Sequence, residues 1–142
     1  VIPSLIRRFV EAKINKEDFV TCWGTGTPKR EFLHVDDLAD ACIFSLEKWD
    51  LNKSNSPKDK NGDLLYFLNV GTGIDISIKD LAILISQIIE FKGEIKWDLS
   101  KPDGTQKKLL NVSKINKLGW KSKINFKDGL KETIDSYIKN LI

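Results

Sequence analysis

The chain has 142 residues, 41% hydrophobic and 30% charged, with 9 Gly and 4 Pro; these fractions exclude disordered, collagen-like and fibrous proteins and fit one domain with a real core. No apolar run approaches the roughly 20 residues that span a bilayer, no secretory signal is visible, and 2 cysteines are too few for a disulfide scaffold, so a cytoplasmic protein without a membrane partner is expected. The net charge of +3, from 23 basic and 20 acidic groups, selects no partner by itself.

The chain contains no methionine and opens on Val1-Ile2-Pro3, so a fragment of a longer product is expected. Ile2, Leu5, Ile6 and Phe9 recur at helical spacing, with Pro3 where a first turn tolerates it. At about 100° per residue, Arg7 points away from that stripe, whereas Arg8 lies on its flank and can reach a cleft beside the helix. Phe19-Val20-Thr21-Cys22-Trp23 reads as a strand, with Phe19, Thr21 and Trp23 on one face, closed by the turn Gly24 to Pro28. A second strand is expected over Arg30 to Val35, then a helix capped by Asp36 or Asp37 and running to about Lys48. That helix would carry Leu38, Ala41, Cys42 and Ser45 on one side. Residues 51–63 shift to Asn, Lys, Ser, Pro, Asp and Gly and read as a flexible surface loop.

Leu64 to Val70 reads as a strongly apolar strand ending in Gly71-Thr72-Gly73. Ser77 with Asp80 caps a helix striped by Ile78, Leu81, Ala82, Ile85, Ile88 and Ile89. Ile95, Trp97 and Leu99 alternate in a short strand, followed by the turn Lys101-Pro102-Asp103-Gly104. A lysine-rich irregular segment leads through a short helix, Ser113 to Leu118, to a last helix from about Phe126 to the end. The mixture of short strands and amphipathic helices is α/β or α+β, held as one unit over residues 1–142.

Neither Gly24-Thr25-Gly26 nor Gly71-Thr72-Gly73 completes the spaced three-glycine loop that seats a dinucleotide pyrophosphate, and no cofactor is expected on this chain alone. His34 is the only histidine, which excludes a metal site built on several imidazoles; on a strand just before a helix cap it reads as a hydrogen-bonded structural residue. Cys22 and Cys42 have no evident partner base and read as core packing. Between Lys101 and Lys127 stand eight lysines against Asp103 alone, either a solvated face or a surface that attracts phosphates, including those of nucleic acid. A recognition set remains. Trp23 offers a stacking plane, Arg30 a fork for diphosphate oxygens, Asp103 acceptors for a sugar hydroxyl, Lys107 and Lys108 lie on the same loop, and Arg8 flanks the first helix. Together they suit a nucleoside diphosphate sugar; scattered surface charge is the alternative.

The runs Val1-Ile2-Pro3-Ser4-Leu5-Ile6-Arg7-Arg8-Phe9, Trp23 to Asp37, Asn69 to Gly73 and Ser100 to Thr105, continuing to Lys108-Leu109-Leu110, closely resemble the GDP-L-fucose synthase family. The Arg-Glu-Phe-x-His-Val-Asp-Asp part is shared loosely with many extended short-chain dehydrogenase/reductases; Lys-Pro-Asp-Gly-Thr with Trp23 is more specific. The resemblance implies the C-terminal substrate-binding lobe of such an enzyme, with the Rossmann half absent. The family converts GDP-4-keto-6-deoxy-mannose to GDP-L-fucose by epimerising two carbons and then reducing the ketone with NADPH. Arg8, Trp23, Arg30, Asp103 and Lys108 are implied as substrate-binding positions: Arg30 and Lys108 at the diphosphate, Arg8 and Trp23 lining the cleft, Asp103 near the nucleoside end. The family's cofactor loop, its reduction residues and its epimerisation Cys and His would all lie before Val1, so no catalytic or cofactor-binding residue is expected here. The implied partners are a GDP-sugar, the missing nucleotide-binding half and, in the parent enzyme, a second subunit. Another nucleotide-sugar epimerase or dehydratase, or a basic nucleic-acid-binding module, are the alternatives.

Overall fold

In the computed structural model, which describes residues 1–141, the chain divides into two compact units. The first comprises residues 1–30, 75–108 and 125–142; the second comprises residues 31–74 and 109–124.

The first unit is built on helix α1 (Ile2–Asn15) and strand β1 (Phe19–Trp23). Pro3 sits in the first turn of α1, where its missing N–H has no partner to lose, and Lys16 ends the helix in the left-handed conformation. Of the expected stripe Leu5, Ile6 and Phe9 are buried and Ile2 is half-buried, and Val10 is buried beside them. β1 alternates as expected: Val20 and Cys22 face inward, Phe19, Thr21 and Trp23 outward. It pairs in parallel with β4 (Glu94–Asp98), Val20 opposite Ile95 and Cys22 opposite Trp97. Helix α3 (Ile78–Ile89) starts on Ser77, whose hydroxyl accepts from the Asp80 amide at 3.0 Å, and buries Leu81, Ala82, Ile85 and Ile89. The last helix, α5 (Phe126–Lys139), starts on Asn125 and buries Leu130 and Ile134. Its expected run to the chain end stops at Asn140; Ile142 lies outside the described residues. Phe9 is fully buried and meets Phe91 edge to face, with ring centroids 5.6 Å apart. Burying a side chain of that size stabilises by about 1.5–3 kcal/mol.

A second small sheet in this unit has the order β3-β2-β5, from Asp75–Ser77, Lys29–Glu31 and Lys107–Lys108. β2 and β5 run parallel, Lys29 opposite Lys107 and Arg30 opposite Lys108. The expected strand from Arg30 to Val35 is therefore too long. Its partner β5 offers two residues, and beyond Glu31 the chain turns into helix α2 (Val35–Lys48).

The second unit packs α2 against helix α4 (Ser113–Leu118) through Ala41, Val112, Ile115 and Trp120, with Leu33, Phe44, Leu68 and Val70 around them. Three corrections fall here. The N-cap of α2 is His34, whose Nδ1 accepts from the Asp36 amide at 3.3 Å, so the cap is neither Asp36 nor Asp37. Asp37 is instead buried and accepts from the Lys123 and Ile124 amides, each at 3.0 Å. Cys42 is exposed, not core, because α2 turns Asp37, Ala41 and Phe44 inward; Cys22 is buried as expected, and that burial pushes its thiol up from the ordinary value, with Arg8 opposing. Finally, Leu64 to Val70 forms no strand: Leu64 makes one isolated bridge to Lys58, and Tyr66 and Phe67 are 73% and 70% exposed. Apolar character alone does not make a strand where no neighbouring strand completes the ladder.

Candidate anion-binding strip

The five residues singled out from sequence, Arg8, Trp23, Arg30, Asp103 and Lys108, all belong to the first unit. Trp23 ends β1 on its outward face and is 62% exposed, an unusual state for an indole. The Arg8 guanidinium reaches from the flank of α1, donates to the Thr21 carbonyl at 3.1 Å and lies 5.5 Å from the Trp23 ring centre. Arg7, turned away, meets Glu11 one helical turn on, at 3.8 Å.

From Trp23 the strip continues through a turn-to-turn latch. The Asp103 carboxylate accepts from the Thr25 amide at 2.9 Å and from the Thr25 hydroxyl at 2.7 Å. These bonds hold its carboxyl below the ordinary carboxylate range, the hydroxyl contributing most. Gly24 is required at this point, because its backbone has positive φ and a β-carbon there would collide with the Asp103 carboxylate. The next residue, Gly104, lies under Arg30: a β-carbon on it would stand 3.2 Å from the guanidinium. Arg30 in turn faces Lys108 across the β2–β5 ladder. The structure thus brings Trp23, the Asp103 turn, Arg30 and Lys108 into one continuous strip, with Arg8 at the Trp23 end.

Lys107 and Lys108 separate at this stage. Lys107 is tied to Asp75 at 3.1 Å, whereas Lys108 is exposed and, among the described residues, has no carboxylate within ion-pair distance. The rest of the lysine-rich stretch is also partly consumed. Lys123 pairs with Asp40 at 3.2 Å, Lys114 donates to the Lys58 carbonyl, and the stretch is divided between the two units.

Sequence reasoning missed two participants. Thr25 supplies both donors that hold Asp103, across a separation of 78 residues that no local pattern reveals. Lys101 places its ammonium 5.7 Å from the Trp23 ring centre.

The two glycine pairs do not fit a nicotinamide dinucleotide. Gly24 packs on the Asp103 carboxylate and Gly71 on that of Glu31, so each loop is already filled by an anion of the chain itself. Each also leads into a strand of the small sheet, β2 or β3, where a pyrophosphate seat needs a helix N-terminus. Among the described residues no group of three or more His, Cys, Asp or Glu side chains is placed to hold a metal ion, and no helix is long and apolar enough to cross a membrane.

Residues 1–58 match the model of the NAD dependent epimerase/dehydratase family. The chain is 46% identical over 141 residues to GDP-L-fucose synthase 1 of Arabidopsis thaliana, covering 99% of this chain and 40% of that one. It is 42% identical over 144 residues to the GDP-L-fucose synthase of Escherichia coli (strain K12), covering 99% and 42%. A GDP-mannoheptose C4 reductase from Campylobacter jejuni, solved with NADP bound, superposes with a TM-score of 0.77 at 37% identity, covering 96% of this chain and 44% of that one. The fold is therefore α/β, of the kind found in part of the extended short-chain dehydrogenase/reductases. The chain spans about two fifths of the length of the curated relatives it matches, and over that span its sequence is similar to those GDP-L-fucose synthases.

Proposed function

We propose that the chain is the nucleotide-sugar-binding part of an NADPH-dependent 3,5-epimerase/4-reductase that makes GDP-L-fucose from GDP-4-keto-6-deoxy-mannose. The observation that carries this reading is the strip itself. An exposed indole with a guanidinium beside it gives a stacking end, and Arg30 opposite Lys108 gives a cationic end matched to a diphosphate. The Asp103 turn, latched to Thr25, lies along the strip with lone pairs left over for hydroxyl or base donors. Such a strip binds and orients. Epimerisation and ketone reduction need acid/base groups and a hydride donor held against the sugar, and in this reading those groups come from the rest of the enzyme, including the NADP site that the two glycine loops here do not provide.

Calorimetric titration tests it. The chain is expected to bind GDP-mannose in preference to UDP-glucose, and Arg30→Ala or Trp23→Ala to remove that binding without lowering the melting temperature. Equal affinity for both sugars would point to another nucleotide-sugar epimerase or dehydratase. The chain by itself is expected to give no fucose formation with NADPH; measurable turnover would overturn the assignment of this chain to binding alone.

A further inference from the structure

Lys101 sits in the loop between β4 and β5, which is unusually restrained for a surface loop. The Asp98 side chain accepts from the Ser100 amide at 3.0 Å and from its hydroxyl at 2.6 Å. The Asp98 carbonyl accepts from Gly24 at 2.9 Å and from Lys101 at 3.2 Å. On the far side of Lys101, Asp103 is latched to Thr25. The loop is thus tied at both ends to the Trp23–Thr25 turn, and the Lys101 ammonium comes to 5.7 Å from the Trp23 ring centre.

Two other lysines of this unit have evident structural uses. Lys107 pairs with Asp75, and Lys96 lies 3.9 Å over the Phe19 ring and 3.9 Å from Glu94. Lys101 has no carboxylate within ion-pair distance among the described residues. Asp98 feels the Lys101 charge, but its carboxylate is hydrogen-bonded by Ser100. Arg8 likewise spends one N–H on a carbonyl and has no carboxylate within ion-pair distance among the described residues. Two cations therefore flank one exposed indole, on a backbone already fixed, so that little ordering is left to oppose ligand binding.

We propose that Lys101, together with Arg8, forms a second anion grip at the Trp23 end of the strip, and that Lys101 contacts a phosphate of the bound nucleotide directly. As a compact point charge on a flexible stem, the Lys101 ammonium suits a phosphate oxygen, and the planar Arg8 guanidinium offers further donors to the same anion. The inference deepens the nucleotide-sugar reading and rests on it for the identity of the ligand, though not for the anion.

The test uses two probes, GDP and inorganic pyrophosphate, titrated into the chain and into Lys101→Gln, Lys101→Arg and, as a control for net charge, Lys96→Gln. Lys101→Gln is expected to weaken both probes by about tenfold or more, the size of a lost hydrogen bond to a charged group. Lys101→Arg should recover most of that loss, and Lys96→Gln should bind as the unsubstituted chain does, all with unchanged melting temperatures. Wild-type affinity in Lys101→Gln, or an equal loss in Lys96→Gln, overturns the proposal. Binding of pyrophosphate but not GDP, still weakened in Lys101→Gln, upholds the grip and sinks the nucleotide reading; binding of neither probe sinks both.

Discussion

Each of the two units is held together internally by its own chemistry. The first is an apolar core: α1, β1, α3 and α5 bury Phe9, Ile6, Leu81, Ile85, Cys22 and Ile134 almost completely. The second has a small apolar cluster and is laced by carboxylates that grip backbone and side-chain donors of distant segments. Asp37 accepts from Lys123 and Ile124. Asp40 accepts from the Trp120 indole at 2.8 Å. Glu31 accepts from Gly73 at 2.6 Å and from Leu110 at 2.9 Å. The helices show the same contrast. α1 and α2 each have 14 residues, but α1 is apolar on one face only. α2 turns Ala41 and Phe44 inward while Val35, Leu38, Ile43 and Leu46 stand out on the opposite side, Leu46 at 87% exposure. The outer face of α2 is therefore exposed apolar surface, whereas the first unit buries its large apolar side chains in its own core.

The sharpest way to break this comparison is to remove one large side chain from each helix. Phe9→Ala is expected to destabilise the chain by about 3–5 kcal/mol, the usual cost of emptying an aromatic core site. Leu46→Ser should change stability by no more than about 0.5 kcal/mol, as surface substitutions do, and should reduce self-association in sedimentation by shrinking the exposed apolar patch. A chain that melts several degrees lower with Leu46→Ser would show that the outer face of α2 is already packed.

The carboxylate lacing gives the next effect. Asp37→Ala strands two part-buried backbone N–H groups, and an unpaired donor costs up to about 1–3 kcal/mol where water does not reach it. Hydrogen exchange should quicken first at Lys123 and Ile124 and then across the second unit, while amides of α3 in the first unit keep their protection. Uniform loss of protection in both units would mean that the chain opens as one cooperative body.

These contrasts also explain what could be read from the residues alone. β1 was legible because its alternation is local, and α3 because Ser77 and Asp80 stand three apart in front of one apolar stripe. The orientation of α2 was not, since a helix apolar on two faces gives periodicity no means of choosing the inner one; Cys42 was misplaced for that reason. Leu64 to Val70 misled because strand propensity reports a fit to a pleated surface and not the presence of a neighbour. At the site, Trp23, Arg30 and Lys108 announce themselves by residue type near a glycine turn. The Thr25–Asp103 latch and the position of Lys101 depend on a pairing of β1 with β4 between segments some 75 residues apart in register, Phe19 opposite Glu94, which only the folded chain displays.

Acid gives the smallest and most local test, with one reporter in each unit. Asp103 in the first unit is held below the ordinary carboxylate value of 3.8 mainly by the Thr25 hydroxyl and amide. Asp40 in the second is held below it by the Trp120 indole first and Lys123 next. A carboxyl with a depressed folded pKa contributes stability that is fully present above its unfolded value and is lost as pH falls through the folded one. Both contacts should therefore be indifferent to pH from 8 down to about 5 and weaken only below about 4. In NMR spectra the Thr25 amide and the Trp120 indole proton should hold their positions across the neutral range and move in the acid range, each following its own carboxylate. Because both carboxylates are solvent-accessible, the shifts should be modest and should precede any global unfolding. A Thr25 amide that titrates near neutrality would mean that a group other than Asp103 closes the latch, and the strip from Trp23 to Arg30 would have to be redrawn around it.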